Sequence, residues 1–134
     1  MADGDLKLLF APDNEALAGM RRELGEWLAR RATPARVVDE LVLAADELCA
    51  NAIEAAAGGM VSLEARGDGS AVHLAVSNAG HAPSGLSRAD DPDQDGDGLR
   101  ERGRGLTIVR AVTDSFAIVN VDGHTVARVG RRLP

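Results

Sequence analysis

One long amphipathic helix constrains the fold of this chain more than any other feature. Thr33 is a suitable N-cap, Pro34 fits the first helical position, and the pattern continues to about Ala57, where the glycine pair at 58–59 stops it. At about 100° per residue, the apolar side chains fall on one side of this helix. They are Val38, Leu41, Ala45, Leu48, Cys49, Ala52 and Ala56. Polar side chains occupy the opposite side, so the longest element of the chain is amphipathic.

Shorter patterns on both sides of the long helix predict two further helices and five strands. The strands are expected at Leu6 to Phe10, Met60 to Arg66, Ala71 to Ser77, Ser115 to Val121 and His124 to Val129. The other helices are expected from about Pro12 to about Arg31 and around Leu106 to Val112. A Gly-Asp-Gly-Ser turn at 67–70 and an Asp-Gly turn at 122–123 pair the last four strands into hairpins. With 134 residues and no internal repeat, residues 1–134 are predicted to form one domain.

A long segment without periodicity, from about Ala79 to Gly103, separates the two hairpins. It is rich in glycine, since six of the 15 glycines lie between residues 80 and 105. Segments of this length are uncommon inside a compact domain, and they often serve as lids or binding loops. The sequence therefore predicts a lid-like loop at about 79–103.

The same loop contains a run of aspartates between residues 90 and 97. These five aspartates supply −5 of the net charge of −6, so the rest of the chain carries only −1. The spacing is similar to the start of a calcium-binding EF-hand loop, but Arg102 stands at the twelfth position, where a bidentate glutamate is required. We interpret the run as the solvated tip of the loop.

Composition excludes several classes of function. Aromatic residues make up 2% of a chain whose net charge is negative, so neither base stacking nor a phosphate-tracking surface for nucleic acid is expected. The single Cys49 forms no internal disulfide, and the three histidines lack the spacing of zinc ligands. The first ten residues do not resemble a signal peptide, and no stretch approaches the roughly 18 apolar residues of a membrane span. The sequence predicts a cytoplasmic protein without membrane contact.

Two polar residues of the long helix are candidates for chemistry. Glu47 and Asn51 are i and i+4 neighbours on the polar side, with no Arg or Lys three or four residues away. Such a face is most often simply solvated. A carboxylate beside a carboxamide, however, offers either hard oxygen ligands for Mg²⁺ or a general base near a phosphate.

Two glycine-containing segments flank the loop. Asn78-Ala79-Gly80 lies where a strand ends, so Asn78 can point into a cleft while Gly80 lets a flat ligand approach the backbone. Gly103-Arg104-Gly105 precedes the short helix, where free backbone N–H groups and a positive helix end favour a phosphate. Either segment alone is also an ordinary turn, and neither has the spacing of a P-loop or a dinucleotide-binding fingerprint.

The order of these segments resembles the GHKL ATPase superfamily, which has the Bergerat fold. In sequence order they are Glu47-x-x-x-Asn51, Asn78-Ala79-Gly80, the loop, and Gly103-Arg104-Gly105-Leu106-Thr107-Ile108-Val109. The size of the chain and the segment LAADELCANAIEAA are similar to the anti-sigma-factor serine/threonine kinases of that superfamily. The resemblance implies an α+β, two-layer sandwich in which helices cover one face of a mixed sheet.

The resemblance also implies roles for individual residues and partners. Asn51 would bind Mg²⁺, Glu47 would orient or deprotonate the attacking hydroxyl, and Asn78 with Gly80 would form the adenine pocket. ATP would be further contacted through Gly103, Arg104, Gly105, Leu106 and Thr125. A sigma factor and a STAS-type anti-anti-sigma protein would be the partners, and the chain would form homodimers.

One departure from the family pattern concerns adenine recognition. The family usually has Asp-x-Gly-x-Gly where this chain has Asn78-Ala79-Gly80-His81-Ala82. An asparagine oxygen still accepts a hydrogen bond from the adenine 6-amino group, but without charge assistance, at a cost of about 1 kcal/mol. The alternatives to an ATP-dependent kinase are therefore a non-catalytic anti-sigma or switch module and a stand-alone ATPase domain of the histidine-kinase type.

Overall fold

A computed structural model of the chain describes residues 4–55, 59–79, 100–121 and 124–134. The helices are α1 (Ala16–Arg30), α2 (Ala35–Ala55) and α3 (Arg100–Val112). The strands are β1 (Leu6–Phe10), β2 (Val61–Gly67), β3 (Ala71–Ala79), β4 (Ser115–Val121) and β5 (His124–Arg132). All eight predicted elements are therefore present, and the largest difference is that α3 begins six residues before its predicted start. The loop tip with its aspartates and the Asp-Gly turn at 122–123 lie outside the described residues.

The strands form one five-stranded sheet in the order β1-β2-β3-β5-β4. β1 is an edge strand, as its short length predicts. Every pairing among the described strands is antiparallel, so the expectation of a mixed sheet is wrong. The reason is topological: after α3 the chain re-enters the sheet at β4, and the hairpin partner β5 lies between β3 and β4.

One face of the sheet carries the hydrophobic core. Alternate residues of β2 and β3 are buried there, for example Val61, Leu63 and Ala65 of β2, because side chains alternate between the two faces of a strand. The core-facing apolar residues of the edge strands β1 and β4 are half-buried. The helices cover this face with side chains such as Leu24 and Leu41, both completely buried. The domain is thus the two-layer α+β sandwich that was expected.

The junction between α1 and α2 differs from the sequence prediction. α1 ends in a Schellman motif, in which the Thr33 N–H donates to Leu28 O (3.2 Å) and the Ala32 N–H donates to Ala29 O (3.0 Å). The predicted N-cap bond from Thr33 is absent, since its buried hydroxyl has no partner within the described residues. Thr33 instead supplies a backbone donor to the end of α1, and α2 begins at Ala35.

An ion pair holds α2 against the far end of the sheet. Arg131 of β5 donates to Glu40 Oε1 of α2 and to Val112 O at the end of α3. The donor–acceptor distance is 2.7 Å in both hydrogen bonds. The Arg131 side chain is largely buried, so this contact is worth more than an exposed ion pair. It ties the first half of α2 and the end of α3 to β5.

Candidate functional site

A polar row crosses the core face at one end of the sheet. The register pairs Asn78 with Thr125 and Thr125 with Asn120, while the apolar Val61 lies on the other side of Asn78. The neighbouring row is apolar, because it pairs Leu63 with Val76. Asn78 is only 3% exposed and is the one polar residue found buried in the described part of the chain.

The last turns of α2 lie over this polar row and form a pocket with it. The pocket is lined by Leu48, Asn51, Ala52, Ala55, Val76, Asn78, Ile118, Thr125 and Ala127. Three of the predicted site residues, Asn51, Asn78 and Thr125, thus come together from one helix and two strands. The enclosed volume is about 30 Å³, enough for about two water molecules. These residues therefore line a small pocket between α2 and the sheet.

Asn78 presents an unused acceptor to this pocket. Its Nδ2 donates to the backbone oxygen of Ala52, with an N···O distance of 2.9 Å. Because a carbonyl oxygen can only accept, the contact identifies which amide atom faces α2. Asn78 Oδ1 is also buried, and no described residue donates to it. A buried acceptor without a donor costs about 1–3 kcal/mol, so the arrangement is typical of an atom that binds a ligand donor.

Asn51 adds a second polar group to the same pocket. Its Nδ2 is buried and has no hydrogen-bond partner among the described residues. An amide oxygen is a hard ligand that Mg²⁺ accepts, and Mg²⁺ usually takes one or two protein ligands together with phosphates and water. No group of three or more His, Cys, Asp or Glu side chains forms a metal cage in the described ranges. The unpartnered Nδ2 is a donor and not a metal ligand, so only the amide oxygen of Asn51 could hold Mg²⁺, together with phosphates and water.

Glu47 lies one helical turn before Asn51 on the same side of α2. Its side chain is half-buried and does not line the pocket. The predicted pairing of Glu47 with Asn51 thus agrees with the helix, because i and i+4 residues share a face. The geometry leaves the carboxylate beside the pocket, next to the residue that would hold Mg²⁺.

Thr125 is held in place by a residue that sequence reasoning missed. Its hydroxyl donates to Asn120 Oδ1 on the paired strand β4, with an O···O distance of 3.0 Å. A second missed residue is His124, whose Nδ1 lies 3.1 Å from the backbone oxygen of Asn78. The Asp-Gly turn at 122–123 already implied the first contact, since a two-residue turn sets Asn120 opposite Thr125.

The glycine segment before α3 is placed differently from the prediction. α3 begins at Arg100, so Gly103 and Gly105 lie inside the helix and not ahead of its N-terminus. The three residues before Gly103 are good helix formers, and a glycine in a helix costs only about 1 kcal/mol, so the helix extends through it. Leu106 packs against the core. Gly80 and the side chain of Arg104 lie outside what is described.

A larger depression lies over the uncovered face of the sheet. It has a volume of about 560 Å³, and its lining includes Glu64, Arg66, His73 and Arg128. Charges of both signs are mixed there, and its lining includes none of the buried unpaired side-chain atoms found among the described residues. The pocket under α2 is therefore the better candidate for a specific ligand.

The remaining chemical features do not add another site. Burial, reinforced by the nearby charge of Asp46, raises the pKa of the Cys49 thiol to about 12, so this cysteine is not a nucleophile. Among the helices that the structure describes, none combines the length and apolar character that a membrane crossing requires.

Comparisons with known proteins agree with the fold. The sequence matches the family described as the histidine kinase-like ATPase domain over residues 10–130. The fold is similar to a crystal structure of the RsbU and RsbW domains of Rv1364c from Mycobacterium tuberculosis, with a TM-score of 0.73 and 22% sequence identity. The match covers 98% of this chain and 32% of that one, so the chain spans about a third of that protein's length. No curated protein matches the chain at a significant level.

Proposed function

The chain belongs to the histidine kinase-like ATPase domain family, and on that basis we propose that it binds ATP and acts as an anti-sigma factor with serine/threonine kinase activity. One observation carries the nucleotide part of the proposal. The unsatisfied Asn78 Oδ1 lies in a pocket that also contains Asn51 and Thr125. An acceptor buried among apolar side chains suits the 6-amino group of adenine, which is a donor.

The proposal divides the work among a few side chains. Asn78 and Thr125 bind the base, and Asn51 is the residue that would hold Mg²⁺. When bound, Mg²⁺ neutralises charge on the phosphates. Glu47 is oriented by α2 on the side that carries Asn51.

Phosphoryl transfer then asks little of the protein beyond positioning. In the proposed step the carboxylate of Glu47 accepts the proton of a serine or threonine hydroxyl on the protein substrate. That hydroxyl oxygen forms a bond to the γ-phosphorus, the bond from the γ-phosphorus to its bridging oxygen breaks, and ADP leaves. We propose a STAS-type anti-anti-sigma protein as the substrate and a sigma factor as the protein that this chain sequesters, as the family resemblance implies.

Calorimetric titration with ATP and Mg²⁺ tests nucleotide binding. We expect the wild type to bind ATP and Asn51→Ala to bind it at least about 10-fold more weakly in the presence of Mg²⁺, because the proposed metal ligand is lost. Asn14→Ala is a matched control, since Asn14 is exposed in the loop before α1. If titration of the wild type with millimolar ATP produces no binding heat, the proposed ATP-dependent function is wrong.

Label transfer tests catalysis separately. The protein is incubated with γ-labelled ATP and a cognate STAS protein, and the wild type is compared with Glu47→Ala. Transfer is expected to fall by about 100-fold or more, since a positioned general base contributes about that much. Glu26→Ala, on the exposed side of α1, is the control. Transfer that persists in Glu47→Ala would remove this residue from the mechanism.

A second candidate is a non-catalytic anti-sigma or switch module. The neutral Asn78, at a position where the family usually has Asp, favours it, because the base is then bound without charge assistance. The ATP titration and the label-transfer assay separate the two functions. A module of this kind would bind ATP weakly or not at all and would transfer no label.

A further inference from the structure

We propose that Asp39, Leu43 and Glu47 of α2 form the docking surface for the protein substrate. It fits a substrate surface on which an apolar side chain lies between the hydroxyl to be phosphorylated and a basic side chain. The three residues are called the outer row below. The inference rests on the proposed kinase function, because Glu47 is the proposed general base.

Helix periodicity places the outer row on one exposed strip. Its members are four residues apart, so they follow one another at intervals of about 6 Å along α2 and share a face. The completely buried Leu41 and the nearly buried Leu48 lie on the opposite side of the helix. Leu43, by contrast, is 42% exposed, and Asp39 is exposed as well. The strip is therefore the outward face of α2.

Hydrogen bonds on both sides define the edges of this strip. Asp46 Oδ1 accepts from Arg21 Nη1 of α1, and Glu40 Oε1 accepts from Arg131 Nη1 of β5. At 3.6 residues per turn, Asp46 and Glu40 lie about 60° to either side of Leu43. The neighbouring elements thus contact the two flanks of α2 and leave the outer row between them facing outward.

α3 adds a second exposed apolar side chain beside Leu43. Val112 O accepts from the same Arg131 nitrogen as Glu40, so the end of α3 lies beside the first half of α2. Both helices pack on one core, so they run antiparallel, and the earlier turns of α3 lie beside the later turns of α2. Ile108, one turn before Val112, is 36% exposed and comes level with Leu43. Single exposed apolar residues are ordinary, whereas a pair one turn from a proposed base indicates a contact surface.

The two ends of the outer row carry unneutralised negative charge. Within the described part of the chain, neither Asp39 nor Glu47 forms an ion pair. α2 has no Lys or Arg after Arg36. On α3, the guanidinium of Arg110 lies over the Phe116 ring of β4, 5.2 Å from its centre, so it does not neutralise these carboxylates. A basic side chain of the partner is therefore the complement of Asp39.

This arrangement specifies the chemistry of the partner. With its hydroxyl at Glu47, a substrate would set an apolar side chain against Leu43 about 6 Å away and a basic one against Asp39 about 12 Å away. None of the outer row lines the pocket that contains Asn51. Changes at Leu43 and Asp39 should therefore weaken the binding of the protein substrate while ATP binding and the chemical step stay as they are.

Steady-state label transfer tests this surface, with γ-labelled ATP and a varied concentration of a cognate STAS protein. Leu43→Ser should raise the KM for that protein about 5- to 10-fold, and Asp39→Lys should raise it by about 10-fold or more. The kcat of both variants should stay within about 2-fold of the wild type, because only docking is lost. Calorimetry should show unchanged ATP affinity. Leu9→Ser, at an apolar residue of β1 that is 69% exposed, and Glu26→Lys, on the exposed side of α1, are the matched controls.

The outcomes separate the docking surface from the function on which it rests. If the wild type transfers label and either variant keeps the wild-type KM, the docking surface is wrong and the kinase function stands. Weaker ATP binding or a fall in kcat alone would also overturn it, since those changes belong to the nucleotide site. If the wild type transfers no label, both proposals fail. If circular dichroism shows that Leu43→Ser does not fold, Asp39→Lys, at an exposed position, still decides.

Discussion

Replacing Ala32 by glycine should stabilise the protein. Ala32 has a φ of +59° at the end of α1, in the left-handed region that a side chain disfavours. That conformation costs a residue with a Cβ about 1–2 kcal/mol, and glycine is free of the cost. The gain is partly offset, because glycine makes the unfolded chain more flexible by about 0.5–1 kcal/mol. The net expectation is a rise of about 0.5–1 kcal/mol in the free energy of unfolding.

Both backbone hydrogen bonds of the Schellman motif remain in this variant, so removing the methyl group of Ala32 breaks neither of them. Ala32 is exposed, and its side chain is absent from the core. For a chain of this length, the gain corresponds to a rise in Tm of about 2–4 °C. Urea and thermal unfolding, followed by circular dichroism, measure it directly.

Ala29→Gly, three residues earlier, is the matched control. Ala29 is an exposed residue inside α1 with a helical backbone. Glycine there should lower the free energy of unfolding by about 0.5–1 kcal/mol. The same substitution is thus expected to have opposite signs at two nearby positions. A loss of stability in both variants would refute the view that backbone strain at Ala32 sets the effect.

Two further predictions concern the sheet. Hydrogen bonds from the Ser70 and Ala71 backbone lower the pKa of Asp68 from 3.8 to about 2. Its charged form therefore stabilises the turn above pH 4, and that contribution to the free energy of unfolding is lost as the pH falls through 2. The difference in unfolding free energy between wild type and Asp68→Asn should therefore shrink as the pH falls from 4 to 2 in urea titrations. A difference that persists unchanged at pH 2 would contradict this. Gly130→Ala should destabilise the protein by about 1–2 kcal/mol, because the new Cβ would lie 2.7 Å from Ser115 Oγ. Adding Ser115→Ala should recover part of the loss, and a double variant no more stable than the single one would place the strain elsewhere.

Local patterns in the sequence were enough to locate the helices and strands, apart from the start of α3. Apolar periodicity depends only on nearby residues, so β1 and β4 have the predicted limits, and α1 is within a few residues of them. Motif order also singled out Asn51, Asn78 and Thr125, which do line one pocket. The assignment of a catalytic role to Glu47 and of phosphate contacts to Gly103 and Gly105 stays a prediction.

Tertiary contacts decided what the local pattern could not. Thr33 has the chemistry of an N-cap, yet its backbone is taken up by the end of α1. Gly103 has the chemistry of a helix boundary, yet α3 runs through it. In both cases the outcome depends on competition between adjacent elements, which a single-residue preference does not contain.

By itself, the sequence determined the order of the elements, the amphipathic character of α2 and the residue types available to the site. Only the tertiary structure decided that Ala52 O meets the Asn78 amide, and so that an acceptor, and not a donor, faces the pocket. The physical reason is that an asparagine is chemically ambiguous until a neighbour removes one of its two orientations. That neighbour lies 26 residues away in the chain and comes close only when α2 packs on β3.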